Sequence, residues 1–176
     1  PMSVNDSDSW IAEETAFIRA VLLSGIPVIG VCLGSQFMAK ALGSIVRSGK
    51  TLEIGMTLVT LTPEAQQDPA FALQPDSFEV FEWHGEIFDL PHGCVPLAGS
   101  TIAPLQAFRY GANAYGLLFH LEMEPAGIDA LCRECASDLT KAQMTAQDVK
   151  AAALPHLPAL HQFADRLIGH LLAPGR

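Results

Sequence analysis

Apolar positions in the first 45 residues repeat at helical spacing, then as a short run, then at helical spacing again. Trp10, Ile11, Phe17, Ile18, Val21 and Leu22 follow a polar lead-in, Asn5-Asp6-Ser7-Asp8, made of residue types that cap helices. Gly25 stops that helix. Pro27 opens an apolar strand over 28–31, after which Phe37, Met38, Ala41 and Leu42 share a stripe that ends at Gly43. Helix–strand–turn–helix is the repeating element of α/β folds.

The middle of the chain alternates with a period of two. Residues 56–62 (MTLVTLT) and 78–83 read as strands, the second ending at His84-Gly85. Shorter strands are expected over 95–98, 107–110 and 114–119, punctuated by Pro and Gly. From Pro125 the pattern is helical again. Ile128, Leu131 and Cys132 mark one helix, and Leu160, Phe163, Leu167, Ile168 and Leu171 mark another. Pro155 and Pro158 break the pattern ahead of the last helix. No internal repeat, low-complexity segment or second domain is visible. The 176 residues suit one domain that buries about 68–70% of its unfolded surface.

Composition narrows the partners. The chain is 49% hydrophobic and 16% charged, a globular balance. A net charge of −9 and the lack of any Lys/Arg run argue against nucleic acid and against an anionic membrane surface. No apolar run reaches the roughly 18–20 residues that span a bilayer. The polar start, PMSVNDSDSW, does not read as a signal peptide. Four cysteines without a disulfide spacing fit thiols in a reducing cytoplasm.

Chemistry concentrates at Gly30-Val31-Cys32-Leu33-Gly34, between the first strand and the second helix. G-x-S-x-G lifts a serine nucleophile out of a sheet through a strained strand-to-helix turn, and here sulfur takes the place of oxygen. A helix N-terminus carries partial positive charge, which favours a thiolate there. The Leu33 N–H then points where an oxyanion forms. A thiolate nucleophile needs a base, and the base an orienting group. His156, His161 and His170 fall in the C-terminal helical region and His92 in a turn. His120 follows the strand 114–119, and Glu122 stands two residues on, on the same side of an extended segment. His84 is a second candidate base. Cys132-Arg133-Glu134-Cys135 has a metal-like spacing but no second ligand pair, so no metal and no cofactor are expected. Cys94 reads as core. Trp83 and Phe88 read as packing residues, and Arg109 as one half of an ion pair.

Together these residues resemble the class I glutamine amidotransferase family, in its free-standing branch similar to the GMP synthase glutaminase domain. The elbow G-x-C-x-G-x-Q is present as Gly30-Val31-Cys32-Leu33-Gly34-Ser35-Gln36, and F-H-P-E as Phe119-His120-Leu121-Glu122. Glu82-Trp83-His84-Gly85 resembles the family's W-H-G element, and Gln106-Ala107-Phe108-Arg109-Tyr110-Gly111 with Ala114-Tyr115-Gly116 resembles that branch.

The resemblance implies a three-layer α/β sandwich around a mixed, mainly parallel sheet, flavodoxin-like in architecture. It implies that Cys32 attacks the side-chain amide of glutamine, that His120 moves the protons, and that Glu122 orients His120. Leu33, Gly34, Gln36, His84, Gly85 and Glu86 would bind glutamine or a γ-glutamyl compound: the Leu33 N–H would supply one oxyanion donor, Gln36 and the backbone around Gly85 and Glu86 would hold the amino-acid end, and His84 would wall the pocket. A synthase partner would receive the ammonia.

Leu121 stands in place of the usual proline and Ser35 in place of a frequent histidine, with spacing unchanged. The family's first strands and its glycine-rich loop, the source of a second oxyanion donor, are expected ahead of Pro1. Residues 1–176 thus read as one amidotransferase-like domain without those strands. A γ-glutamyl hydrolase with the same three residues, and a non-catalytic amino-acid-binding domain, are the alternatives.

Overall fold

The computed structural model describes residues 2–173. Pro1 and residues 174–176 lie outside them. Among the described residues the order is α1 (Ser9–Ser24), β1 (Val28–Val31), α2 (Leu33–Ala41), β2 (Val46–Leu61), β3 (Ser77–Phe88), β4 (Cys94–Gly99), β5 (Ala107–Tyr110), β6 (Ala114–Leu117), α3 (Pro125–Glu134), α4 (Ala136–Ala142), α5 (Ala146–Ala153) and α6 (Leu157–Leu172).

The strands form one mixed sheet in the order β1-β6-β5-β4-β2-β3. The β1–β6 pair is parallel and the other pairings among the described residues are antiparallel, so the sheet is mixed as expected but mainly antiparallel over these residues, not mainly parallel. Connection length explains this. β4, β5 and β6 follow one another through loops too short for a crossover, whereas more than 80 residues separate β1 from β6. The sheet curls. β1 and β3 end the strand order on opposite sides, yet the His120 N–H beyond β6 donates to the Phe81 carbonyl of β3 at 2.8 Å.

Helices cover both faces, giving three layers. On one side α1 and α2 place Ile11, Leu22, Phe37 and Met38 against Val46, Phe88, Phe108 and Leu118. On the other, Ile128, Val149, Leu160, Phe163 and Leu167 pack on Val59, Val80, Phe81, Leu97 and Tyr115. The C-terminal helices therefore close the core. α1 uses a narrower stripe than its apolar content implies. Ile11, Ile18 and Leu22 point inward, while Phe17, 240° around the helix from Ile11, is 64% exposed. Ile168 is likewise outside the stripe of Leu160, Phe163, Leu167 and Leu171.

Several boundaries differ from the sequence expectation. β2 begins ten residues before position 56, because its first half, VRSGKTLE, is held by backbone pairing to β3 across a bulge between Ser48 and Glu53 rather than by an apolar face. β3 continues through His84-Gly85-Glu86. α6 starts at Leu157 with Pro158 in its first turn, where proline forfeits no helical bond. The short helices α4 and α5 each bury only two residues, too few for a periodic signal. Thr145 starts α5 by accepting the Asp148 N–H at 3.1 Å. Asp8 sits at the N-cap of α1 without a side-chain cap bond, and Gly25 ends that helix at φ 74°.

Candidate functional site

β1 and β6 run parallel and in register from Val28↔Ala114 to Val31↔Leu117, so both chains leave the sheet at the same end. Cys32 is the first residue past β1 and the N-cap of α2, with φ 48° and ψ −108°. A non-glycine residue there stores on the order of 1–3 kcal/mol of strain and needs its surroundings to hold it. The Cys32 N–H donates to the Leu117 carbonyl at 2.8 Å, and the Ser35 hydroxyl donates to the Cys32 carbonyl at 2.7 Å. Ser35 is fully buried for this purpose.

The flanking glycines are not equivalent. A Cβ on Gly30 would lie 2.4 Å from Met38 Sδ and 2.8 Å from the Gly34 carbonyl, so only glycine lets α2 approach β1. A Cβ on Gly34 meets nothing within 4 Å. Of the two glycines that flank the cysteine, Gly30 is the crowded one.

His120 stands three residues past β6, its backbone tied to Phe81 and its ring edge-on to the Phe81 ring at 6.2 Å. Its Nδ1 lies 2.6 Å from Glu122 Oε1. The Leu121 N–H donates to the other Glu122 oxygen at 3.0 Å, and the Leu121 side chain turns into the core. The chain is extended here, which puts residues 120 and 122 on one side and 121 on the other. Burial opposes charge on His120. Hydrogen bonds to Cys32 and Glu122, with the negative charge of both, outweigh it and raise the imidazole pKa to about 10. Burial likewise pushes Glu122 up, but its bonds to His120 and Leu121 hold it below the ordinary carboxylate value.

Cys32 and His120 open on one cleft of about 520 Å³, bordered also by Leu33, Gln36, Trp83, His84, Gly85 and Glu86. The Cys32 thiol points to the Trp83 carbonyl at 3.8 Å. Gln36 is buried, and its amide donates to the Glu86 carbonyl at 3.4 Å. The Ser3 hydroxyl donates to Glu86 Oε1 at 2.8 Å. The structure thus brings Cys32, Leu33, Gln36, His84, Gly85, Glu86 and His120 to one cavity, with Glu122 behind His120. Gly34 is one turn-residue away and does not border it.

His84 borders the cleft and also makes buried contacts of its own. Its side chain is 2% exposed, and Nε2 lies 3.0 Å from Glu82 Oε2 and 3.4 Å from Glu53 Oε2. Both contacts are short enough for ion pairs, but neither has hydrogen-bond geometry, so both His84 nitrogens and both Glu82 oxygens lack a hydrogen-bond partner. Glu53 accepts from the Ser100 hydroxyl at 3.0 Å and from the Gln106 amide at 3.2 Å. Burial pushes the Glu82 carboxyl above its usual value. Glu53 and Ser100 carry no signal in the sequence, and Glu82 and Gln106 enter there only as members of the family-like motifs. The available signal was Glu82-x-His84, an i, i+2 pair on a strand like His120-x-Glu122.

The remaining residues fall into place. Arg109 finds its acid in Asp68, Nε to Oδ2 at 2.6 Å, and the Tyr115 hydroxyl also contacts Asp68 at 3.1 Å. His161 is 2.9 Å from the Met123 carbonyl, and Phe88 packs edge-on to Phe108 at 5.6 Å. The four cysteines are free. Burial raises Cys94 to about 11 and also raises Cys132. Cys135 borders the cleft from the end of α3.

A three-layer α/β fold with a strained cysteine between β1 and α2, facing a histidine beyond the parallel strand, defines a cysteine-elbow amidotransferase-like architecture. Residues 1–132 match the family described as glutamine amidotransferase class-I, and the chain belongs to that family. It is 34% identical over 116 residues to the glutamine amidotransferase-like protein YfeJ of Salmonella typhimurium, covering 66% of this chain and 48% of that one. It is 34% identical over 113 residues to a glutamine-hydrolysing GMP synthase subunit of Methanoculleus marisnigri, covering 63% of this chain and 60% of that protein. The chain thus spans about half the length of the curated relatives it matches. Its fold superimposes on the crystal structure of a glutamine amidotransferase from Thermotoga maritima with a TM-score of 0.88 at 29% identity, covering 98% of this chain and 75% of that one. Among the described residues no helix is long and apolar enough to cross a membrane.

Proposed function

We propose that residues 1–176 act as one amidotransferase domain that hydrolyses the side-chain amide of glutamine through a thioester on Cys32. The observation that carries this reading is the strained Cys32 on the same cleft as a histidine whose far side is held by a carboxylate.

Nδ1 of His120 is taken by Glu122, which leaves Nε2 for the Cys32 sulfur. The thiolate attacks the amide carbon. The oxyanion forms against the Leu33 N–H, a first-turn donor that α2 leaves unpaired by helix geometry. His120, held protonated, gives its proton to the leaving nitrogen, and ammonia departs. His120 then takes a proton from water, hydroxide attacks the thioester, and glutamate is released with the Cys32 thiolate restored. Gln36 and the Gly85–Glu86 edge of β3 form the wall that receives the amino-acid end. Glu86 supplies a carboxylate for an ammonium group. Since one relative belongs to a GMP synthase, a synthase partner is the proposed receiver of ammonia. Four free thiols fit a reducing, cytoplasmic setting.

The test is an intact mass spectrum after treatment with a glutamine-mimicking electrophile, followed by an ammonia-release assay with glutamine and with a γ-glutamyl dipeptide. One adduct on Cys32, lost in His120→Ala, with release from glutamine, supports the reading. Turnover of the dipeptide alone replaces it with a γ-glutamyl hydrolase. Reversible glutamine binding with neither adduct nor turnover replaces it with a binding domain.

A further inference from the structure

We propose that Glu53, Glu82 and His84 form a buried site for one divalent transition-metal cation, with Zn²⁺ as the reference ion. The inference does not depend on the amidase reading.

Charge gives the first reason. Two carboxylates whose side chains are 1% and 0% exposed face one imidazole, and among the described residues no Lys or Arg pairs with either. A buried charge needs a partner of opposite sign or a metal. A dication between two carboxylates and a neutral imidazole brings the group to net zero.

Geometry gives the second. The donor atoms of all three residues lie within 4.8 Å of one another. His84 Nε2 is 3.0 Å from one carboxylate oxygen and 3.4 Å from the other. Tetrahedral Zn²⁺ with bonds of about 2.0–2.1 Å separates its ligand atoms by roughly 3.3 Å. Pairwise hydrogen bonding does not account for these contacts: both Glu82 oxygens and both ring nitrogens of His84 are buried and lack a hydrogen-bond partner. A common centre satisfies Nε2 and one oxygen of each glutamate together.

The surroundings give the third. Glu53 is oriented by Ser100 and Gln106, the outer-shell support that metal-binding carboxylates receive. Gln106 is fully buried, and its Oε1 also lacks a partner. The cation enters from the cleft that His84 borders. Once seated it ties β2 to β3 at the Glu53↔His84 and Gly55↔Glu82 register positions. That fixes the strand carrying Gly85 and Glu86, so the site is a clamp for the cleft wall and takes no part in bond-making.

Chelator-stripped protein, with its thiols alkylated, is loaded with Zn²⁺, desalted and analysed for metal by mass spectrometry. The expected result is one Zn²⁺ per chain in the wild type and less than a tenth of that in Glu53→Gln and Glu82→Gln. Co²⁺ loading of unsubstituted protein with free thiols provides a readout that needs no variant. Visible d–d bands without thiolate charge-transfer absorption fit a two-carboxylate, one-imidazole site. Failure of the wild type to retain metal, retention by both variants, or a thiolate charge-transfer band overturns the proposal.

Discussion

Glu82-Trp83-His84 in β3 and His120-Leu121-Glu122 beyond β6 put the same two residue types at the same spacing on extended chain, yet the pairs end in opposite states. Glu122 is 53% exposed, lies 2.6 Å from its histidine, and takes a second bond from the Leu121 N–H. Glu82 is fully buried, has no hydrogen bond on either oxygen, and shares its histidine with Glu53. Burial is the largest influence on both carboxylates and pushes both up. Hydrogen bonds reverse it for Glu122, which is held low, and do not for Glu82, which stays raised. The spacing places the pair, while solvent and donors decide its charge.

The largest test of that contrast is at the outer site. Cys32→Ala and His120→Ala are each expected to lower ammonia release from glutamine by on the order of 10⁴–10⁶-fold, with the double variant no worse, because nucleophile and base act as a unit. A residual rate in His120→Ala within tenfold of wild type would move the base elsewhere, with His84 the next candidate.

Glu122→Gln is the next largest. It keeps the shape but removes the charge that holds the His120 tautomer, so kcat is expected to fall by about 10²–10⁴. The His120 resonance in NMR should titrate below about 10 in this variant, since a hydrogen bond and a negative charge that raise it are gone. The stability sign follows from both partners. His120 is raised from 6.5 to about 10, so its contribution is complete below pH 6.5 and is lost as pH climbs to about 10. Glu122 is lowered from 4.5, so its contribution is present above pH 4.5 and is lost as pH falls through its lowered value. Thermal midpoints should therefore show a pair contribution that is largest from pH 4.5 to 6.5 and weakens on either side, and Glu122→Gln should flatten both flanks.

The outer pair was readable in the sequence because it sits beside a strand end and answers a glycine-flanked cysteine far away in the chain. The inner cluster was not. Its pieces come from residues 53, 82, 84, 100 and 106, and what joins them is the β2–β3 register across a bulge, together with the Ser100 N–H to Ala103 carbonyl turn ahead of β5. Periodicity finds faces, and a bulge shifts the face. The same limit hid the first half of β2, where polar residues pair through their backbones. It also hid the partner of Arg109, since Asp68 lies in a loop 41 residues away. Where burial followed a stripe, as along α6, the sequence pattern and the structure agree apart from the first turn and Ile168, which is exposed.

The elbow's two glycines offer a smaller test of whether that local motif is sterically required. Gly30→Ala is expected to destabilise by about 1–3 kcal/mol, because the added methyl meets Met38 and the α2 backbone inside contact distance. For a domain of this size that is a midpoint drop of roughly 2–4 °C per kcal/mol. Gly34→Ala finds open space and is expected to stay within about 0.5 kcal/mol of wild type. Equal losses at both positions in a thermal melt would mean that the turn's backbone conformation, and not the approach of α2 to β1, demands glycine.

Glu82→Gln in metal-free protein is the smallest expected effect and the sharpest on the comparison. An amide fits the same volume and removes the penalty of a buried carboxyl that has no hydrogen bond, so stability should be unchanged or higher by about 1 kcal/mol. Glu82 also touches His120 only through space, by the attraction of opposite charges. The rate of ammonia release should therefore change by less than about tenfold, well short of Glu122→Gln, at about 1.4 kcal/mol per decade. Chemical denaturation and steady-state rates on the two glutamine variants side by side check both numbers. A Glu82→Gln rate as low as that of Glu122→Gln would show that the inner pair also governs proton transfer, and the division between a reacting pair and a buried one would fall.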